Sequence, residues 1–210
     1  MSLVDLSPSK IICVGRNYMA HAAEMGNTVP ETPLIFFKPP SSLIRGGDNI
    51  VLPQQSQHVE YEGEVAVIVG SRLRNASEDE AVAAISHVVA LNDVTARDLQ
   101  RSDGQWTRAK GFDTFCAVGT PVPVAQLAVP LRELEVRTLV NGEVRQHGYV
   151  SDMAFPIPFM VSWISQAMTL EPGDIISTGT PEGVGRLNAG DVVRVEIPGV
   201  DAVENPVVGP

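Results

Sequence analysis

The sequence predicts a strand-rich, mixed α/β fold, largely antiparallel, with a few short helices. Three observations carry this expectation. Short apolar or alternating segments recur along the 210 residues, bounded by Gly, Pro, Asn or Asp. Gly and Pro number 18 and 16 in a chain that is 44% hydrophobic, which suits many strands joined by turns rather than a helical bundle. Most connections look too short for the crossover that a parallel pair requires. Length divided by about 150 predicts one domain, at most two. No linker, repeat or low-complexity run divides the chain, so residues 1–210 read as one domain.

Residues 10–14 (KIICV) read as a buried strand. Residues 19–25 (MAHAAEM) allow two helical turns, closed quickly by Gly26 and by Pro30 and Pro33. The segment of about 16–30 thus suits a short lid between two loops. Residues 34–38 and 50–52 read as strands bounded by Pro. Residues 59–69 (VEYEGEVAVIV) form the strongest strand, with Val59, Tyr61, Val65, Val67 and Val69 on one face. Ser77 and Glu80 make a capping box that opens a helix through about residue 86. Residues 88–91 return as a strand ending at Asn92-Asp93. Residues 134–140 and 143–146 flank Asn141-Gly142, the signature of a two-residue hairpin turn. A helix over about 156–168, a strand over 174–178 and a last strand over 192–197 complete the reading.

The formal charge is −10, from 15 basic and 25 acidic residues. That balance argues against nucleic acid or an anionic membrane as partner, because both need a basic surface. Cys13 and Cys116 lie in apolar stretches and read as reduced core residues rather than a disulfide. No apolar run approaches the roughly 20 residues of a membrane-spanning helix. The start, MSLVDLSPSK, lacks a basic-then-apolar signal pattern, which predicts a cytoplasmic setting.

Glu60, Glu62 and Glu64 fall on the other face of the 59–69 strand, neighbours about 6.6–6.8 Å apart by the strand rise. Such a row is either a solvated sheet edge or a site that something positive offsets. Glu64 runs straight into an apolar stretch, and Asp93 ends another, where an unpaired carboxylate is costly. Two carboxylates plus a third from a neighbouring strand would make an all-oxygen site, suited to Mg²⁺, Mn²⁺ or Ca²⁺ rather than zinc. His21 and Glu24, three apart, share a helix face. They are a surface pair or, with Glu24 orienting the ring, a general base. Thr178–Gly185 (TGTPEGVG) lacks both nucleotide-loop spacings. It is either an ordinary turn or a cradle in which Thr180 and backbone N–H groups hold a carboxylate. Lys38, Arg97 and Lys110 are cations in semi-apolar settings, placed to bind an anion or pair with acids. No G-x-S-x-G, HExxH or paired CxxC is present, which argues against serine hydrolases and zincins.

Taken together these stretches resemble the fumarylacetoacetate hydrolase family. The matching residues are Val14–Tyr18 with His21 and Glu24, Pro33–Pro39, Tyr61–Ala66, Asn92–Asp98, Trp106–Asp113, Val140–Glu143 and Thr178–Gly185, in the family's order over about residues 10–197. The resemblance implies a mixed β-roll or sandwich with a few peripheral helices, a homodimer and a Mg²⁺ or Mn²⁺ site. By carry-over, Glu62, Glu64 and Asp93 are the metal ligands and His21–Glu24 the lid dyad. Lys110 lines the site, Thr180 holds the substrate carboxylate, and Arg16, Lys38 and Gln100 match other pocket positions. The chain looks like the short branch that includes acylpyruvases and oxaloacetate decarboxylases. Tyr61 departs from close acylpyruvases, which carry His before the first metal Glu, and matches the YEGE form of carboxymethyl-hydroxymuconate isomerases. The implied activity is on small 2-oxo acids: first hydrolysis of the C3–C4 bond of an acylpyruvate, with decarboxylation, isomerisation, or binding without turnover as alternatives.

Overall fold

The structure, a computed structural model, describes residues 6–26 and 28–210. Residues 1–5, half of the stretch behind the compartment expectation, and Asn27 of the expected lid segment lie outside the described residues. In chain order the first strands are β1 Ile11–Gly15, β2 Leu34–Lys38, β3 Leu43–Arg45, β4 Ile50–Val51, β5 Val59–Tyr61, β6 Gly63–Val69, β7 Ile85–Asp93 and β8 Thr95–Ala96. They are followed by β9 Cys116–Val118, β10 Val122–Pro123, β11 Glu135–Val140, β12 Glu143–Tyr149, β13 Ile175–Ser177, β14 Gly185–Arg186, β15 Val192–Ile197 and β16 Asp201–Val208. The α-helices are α1 Met19–Glu24, α2 Glu78–Ala84, α3 Arg97–Asp103, α4 Thr107–Lys110 and α5 Ile157–Ala167.

The strand-rich, mixed α/β expectation is borne out. The large sheet runs β2-β1-β13-β6-β7-β9-β3, with β10 also on β7; a second runs β12-β11-β15-β16-β4; a small one runs β14-β5-β8. Pairing is mostly antiparallel, and the parallel pairs β1–β13, β3–β9 and β4–β16 each join strands far apart in sequence. β6 is buried on both faces because a hydrophobic cluster covers each side of the sheet there. Val65, Val67 and Val69 enter one core with Met160, Val161 and Ile164 of α5 and with Val136 and Val195 of the second sheet. Ala66 and Ile68 enter the other, with Ile11, Cys13, Val89 and Leu91.

Several local signals appear as expected. Ser77 caps α2, and both bonds of the capping box form. Asn141 and Gly142 have φ of +54° and +81°, the mirror-image turn that matches strand twist. The helix over 156–168 becomes α5, whose residues 157, 160, 161 and 164 face the core at helical spacing. Cys13 and Cys116 are free and buried; burial pushes the Cys116 thiol up to about 12, so neither is a ready nucleophile.

One expectation is corrected. Residues 59–69 are two strands in two sheets, β5 in the small one and β6 in the large one. At the junction the Glu62 N–H donates to Asn92 Oδ1 (3.1 Å) and the Gly63 N–H to Gln146 Oε1 (2.9 Å), side chains rather than a strand partner. Glu60, Glu62 and Glu64 therefore do not form one continuous row.

Candidate active site

The sheet change at Glu62 and the end of β7 at Asp93 bring the acidic residues together. One oxygen each of Glu62, Glu64 and Asp93 lies within 4.8 Å of the others, and all three residues are buried. Glu60, the other member of the expected row, stays outside this group and pairs with His58 (2.8 Å) and Arg97 (2.7 Å).

Buried carboxylates require partners, and three cations supply them. Lys110 Nζ donates to Glu62 Oε2 and Asp93 Oδ2, both at 2.7 Å. Lys38 Nζ donates to Asp93 Oδ1 (2.5 Å) and the Val94 carbonyl (3.2 Å). Arg97 forks between Glu60 and Glu62, at 2.7 and 2.6 Å, and its third nitrogen donates to Gln100 Oε1 at 2.6 Å. Burial alone would raise the Glu62 carboxyl, but Lys110 and Arg97 outweigh it and hold it well below the usual carboxylate range. Among the described residues no cation contacts Glu64; Ser177 Oγ and the Gly179 N–H donate to its Oε2. Burial, Asp93 and Glu62 push its carboxyl up to about 8.

That imbalance tests the fit of a metal. Among the described residues three buried carboxylates share one centre, one of them lacks a cation, and no His or Cys belongs to the set. A hard, oxygen-seeking dication fits such donors; zinc fits them poorly. The residues present therefore suit a Mg²⁺- or Mn²⁺-type ion.

The triad opens on a cavity of about 320 Å³ whose wall includes Arg16, His21, Gln100, Trp106, Lys110 and Thr180. His21 Nδ1 lies 3.1 Å from Glu24 Oε2. Glu24 also accepts from the Gly183 N–H (3.0 Å), so the carboxylate ties α1 to the loop after β13. Thr180 lines the cavity, but its hydroxyl is engaged: it accepts from Gln146 Nε2 (2.8 Å) and donates to the Gly63 carbonyl (2.9 Å). Lys38 is placed behind Asp93, fully buried, rather than on the cavity wall.

Sequence reasoning named Arg97 only as an unassigned cation, and it missed Trp106, Gln146 and Ser177. Trp106 lies 5.2 Å from Phe36, edge to face, and under the Arg16 guanidinium at 5.9 Å. A helical reading of Ala96-Arg97-Asp98-Leu99-Gln100-Arg101 would have placed Arg97, Gln100 and Arg101 on one face, at i, i+3 and i+4. Nothing local marks Gln146 or Ser177.

The family profile described as fumarylacetoacetate (FAA) hydrolase C-terminal matches residues 10–208. The chain belongs to the fumarylacetoacetate hydrolase family. Its members are enzymes, and the resemblance read from the motifs is borne out. The mitochondrial oxaloacetate tautomerase of Arabidopsis thaliana is 42% identical, over 93% of this chain and 89% of its own length. The solved 5-carboxymethyl-2-hydroxymuconate delta-isomerase of Mycobacterium smegmatis is 45% identical with a TM-score of 0.89, covering 98% of this chain and 80% of that one. The fumarylpyruvate hydrolase of Pseudomonas aeruginosa, solved with Mn²⁺ and pyruvate, is 31% identical with a TM-score of 0.91, covering 97% and 91%. Among the described residues no helix is long and apolar enough to cross a membrane.

Proposed function

We propose that this family member is a divalent-metal-dependent enzyme of small 2-oxo acids, and that its reaction moves a proton between enol and keto forms at C3. The observation that carries the reading is the cavity that three buried carboxylates share with His21, whose ring contacts Glu24. The relatives at 42% and 45% identity, named for tautomerisation and isomerisation, support that reaction. The relative holding Mn²⁺ and pyruvate supports the ligand class.

Glu62, Glu64 and Asp93 would hold Mg²⁺ or Mn²⁺, which when bound supplies Lewis acidity to a chelating carboxylate and 2-oxo oxygen. His21, oriented by Glu24, would take the C3 proton and return it. Lys110 would stabilise charge developing on the 2-oxo oxygen. Arg16 and Gln100 would bind the acid from the cavity wall. Thr180 would turn its hydroxyl from the Gly63 carbonyl to the substrate carboxylate. Lys38 would act as a positioning residue, through Asp93.

The second reading is C3–C4 hydrolysis, which sequence reasoning put first. The His21–Glu24 contact favours it, since the same pair can activate water. The test incubates the protein with Mg²⁺ and, separately, oxaloacetate and acetylpyruvate, following enol absorbance, pyruvate and CO₂, with EDTA as control. Loss of enol absorbance without pyruvate is the expected result. Metal-dependent pyruvate from acetylpyruvate would replace it with hydrolysis; pyruvate with CO₂ from oxaloacetate would replace it with decarboxylation. Stabilisation by oxalate and Mg²⁺ without turnover of either acid would leave a binding protein. His21→Ala is expected to remove proton transfer while calorimetry still detects metal binding.

A further inference from the structure

Glu60 is the acidic residue of the 60–64 segment that the proposed chemistry leaves unused. It is 8% exposed, so its charge needs partners. Each of its oxygens has one. The His58 ring lies 2.8 Å from Oε1, and Arg97 Nε donates to Oε2 at 2.7 Å. Arg97 is buried more deeply, at 2% exposed. Its two terminal nitrogens donate to Glu62 Oε1 and Gln100 Oε1, both at 2.6 Å. Glu60 and Glu62 of the triad therefore share one guanidinium.

That sharing matters because Glu62 has no oxygen to spare. Its Oε2 accepts from Lys110 Nζ at 2.7 Å, so a cation already faces each of its oxygens. A dication arriving at Glu62 repels the guanidinium and weakens the Arg97–Glu62 contact. A buried guanidinium that lost its only carboxylate would be costly, since its charge would be left unmatched. Arg97 does not lose its only carboxylate. Glu60 and Gln100 still hold the other two nitrogens, at 2.7 and 2.6 Å. The two ion pairs of Arg97 thus divide into one that competes with an ion and one that does not.

We propose that Glu60 is a positioning residue for the metal: it retains Arg97, so that Glu62 is released to the ion. This rests on the metal reading of the triad. Glu60 acts through Arg97 and is not itself a ligand.

The test is calorimetry with Mn²⁺ alone on wild type, Glu60→Gln, Arg97→Gln and the double variant. Glu60→Gln should bind Mn²⁺ about tenfold more weakly, the usual scale for a group that supports a metal ligand without touching the ion. Arg97→Gln should bind it more tightly than wild type, because the cation that competes for Glu62 is gone. The double variant should stay within about threefold of Arg97→Gln, because Glu60 has no effect once the group it acts through is removed. A Glu60 that only supported the fold would weaken binding in both backgrounds. Unchanged affinity in Glu60→Gln, or a tenfold loss that persists beside Arg97→Gln, overturns the proposal alone. Should Glu60→Gln fail to fold, Arg97→Gln decides: tighter binding than wild type sustains the proposal, and equal or weaker binding overturns it. Failure of wild type to bind Mn²⁺ overturns the metal reading and the role of Glu60 with it.

Discussion

At the residue scale the site turns on Gly63, between the two acidic residues of the junction. A Cβ there would lie 1.9 Å from Thr138 Oγ1 and 3.2 Å from Val195 Cγ1. Only Gly lets the second sheet approach this closely. Gly63→Ala should destabilise by about 1–3 kcal/mol, the usual range for overpacking, in a urea melt. The Thr138 hydroxyl is buried without a hydrogen-bond partner, so adding Thr138→Ala should recover most of the loss. An unrescued double variant would place the strain elsewhere. Glu62, Glu64, Asp93, His21 and Glu24 were legible as candidates because their spacing or strand position sets them apart. The partners of the carboxylates were less legible: Lys38, Arg97 and Lys110 reach them across 17 to 55 residues, beyond any local pattern.

At the element scale, turn chemistry was the most readable feature. The Asn141-Gly142 turn and the capping box of α2 both formed, because each is decided within four residues. Asp191 extends the turn: it accepts from Asn141 Nδ2 (2.8 Å) and the Asn188 N–H (2.7 Å), joining the hairpin to the start of β15. Burial alone would raise its carboxyl, but these hydrogen bonds outweigh burial and hold it below the ordinary value. A lowered carboxyl stabilises above its unfolded value and loses that contribution as pH falls below about 4. Asp191→Asn, which resembles the protonated acid, should therefore melt lower than wild type at pH 7. The gap should narrow as the pH falls through the range in which this carboxyl takes up its proton; a constant gap would mean that the charge is immaterial. The division of residues 59–69 was not legible, since both halves keep period two and only Asn92 and Gln146, 30 and 83 residues away, reveal the junction.

At the scale of the whole molecule, Lys38, Lys110 and Arg97 pair two of the three buried carboxylates, Glu62 and Asp93, while Ser177 and the Gly179 N–H hold Glu64. A ligand that binds only the folded state adds about 2.7 kcal/mol at 100 times its Kd. Mg²⁺ or Mn²⁺ at that excess should raise the melting temperature accordingly, and EDTA should reverse it. Glu62→Ala should abolish the increase. It should also lower the metal-free melt, because Lys110 and Arg97 each lose a buried partner. A metal-dependent rise that survives the substitution would remove Glu62 from the ligand set.

The sequence by itself determined what is decided over a few residues. Backbone conformation and side-chain period set the turns, the caps, the strand faces and the acidic character of the 60–64 segment. The tertiary structure decided which sheet each strand enters, that Glu60 turns from the row to pair with His58 and Arg97, and that Lys38 lies behind the site. The reason is electrostatic and long-range. A buried charge must be matched, and the matching groups come from β2, α3 and α4, which only the assembled sheets bring within hydrogen-bond reach.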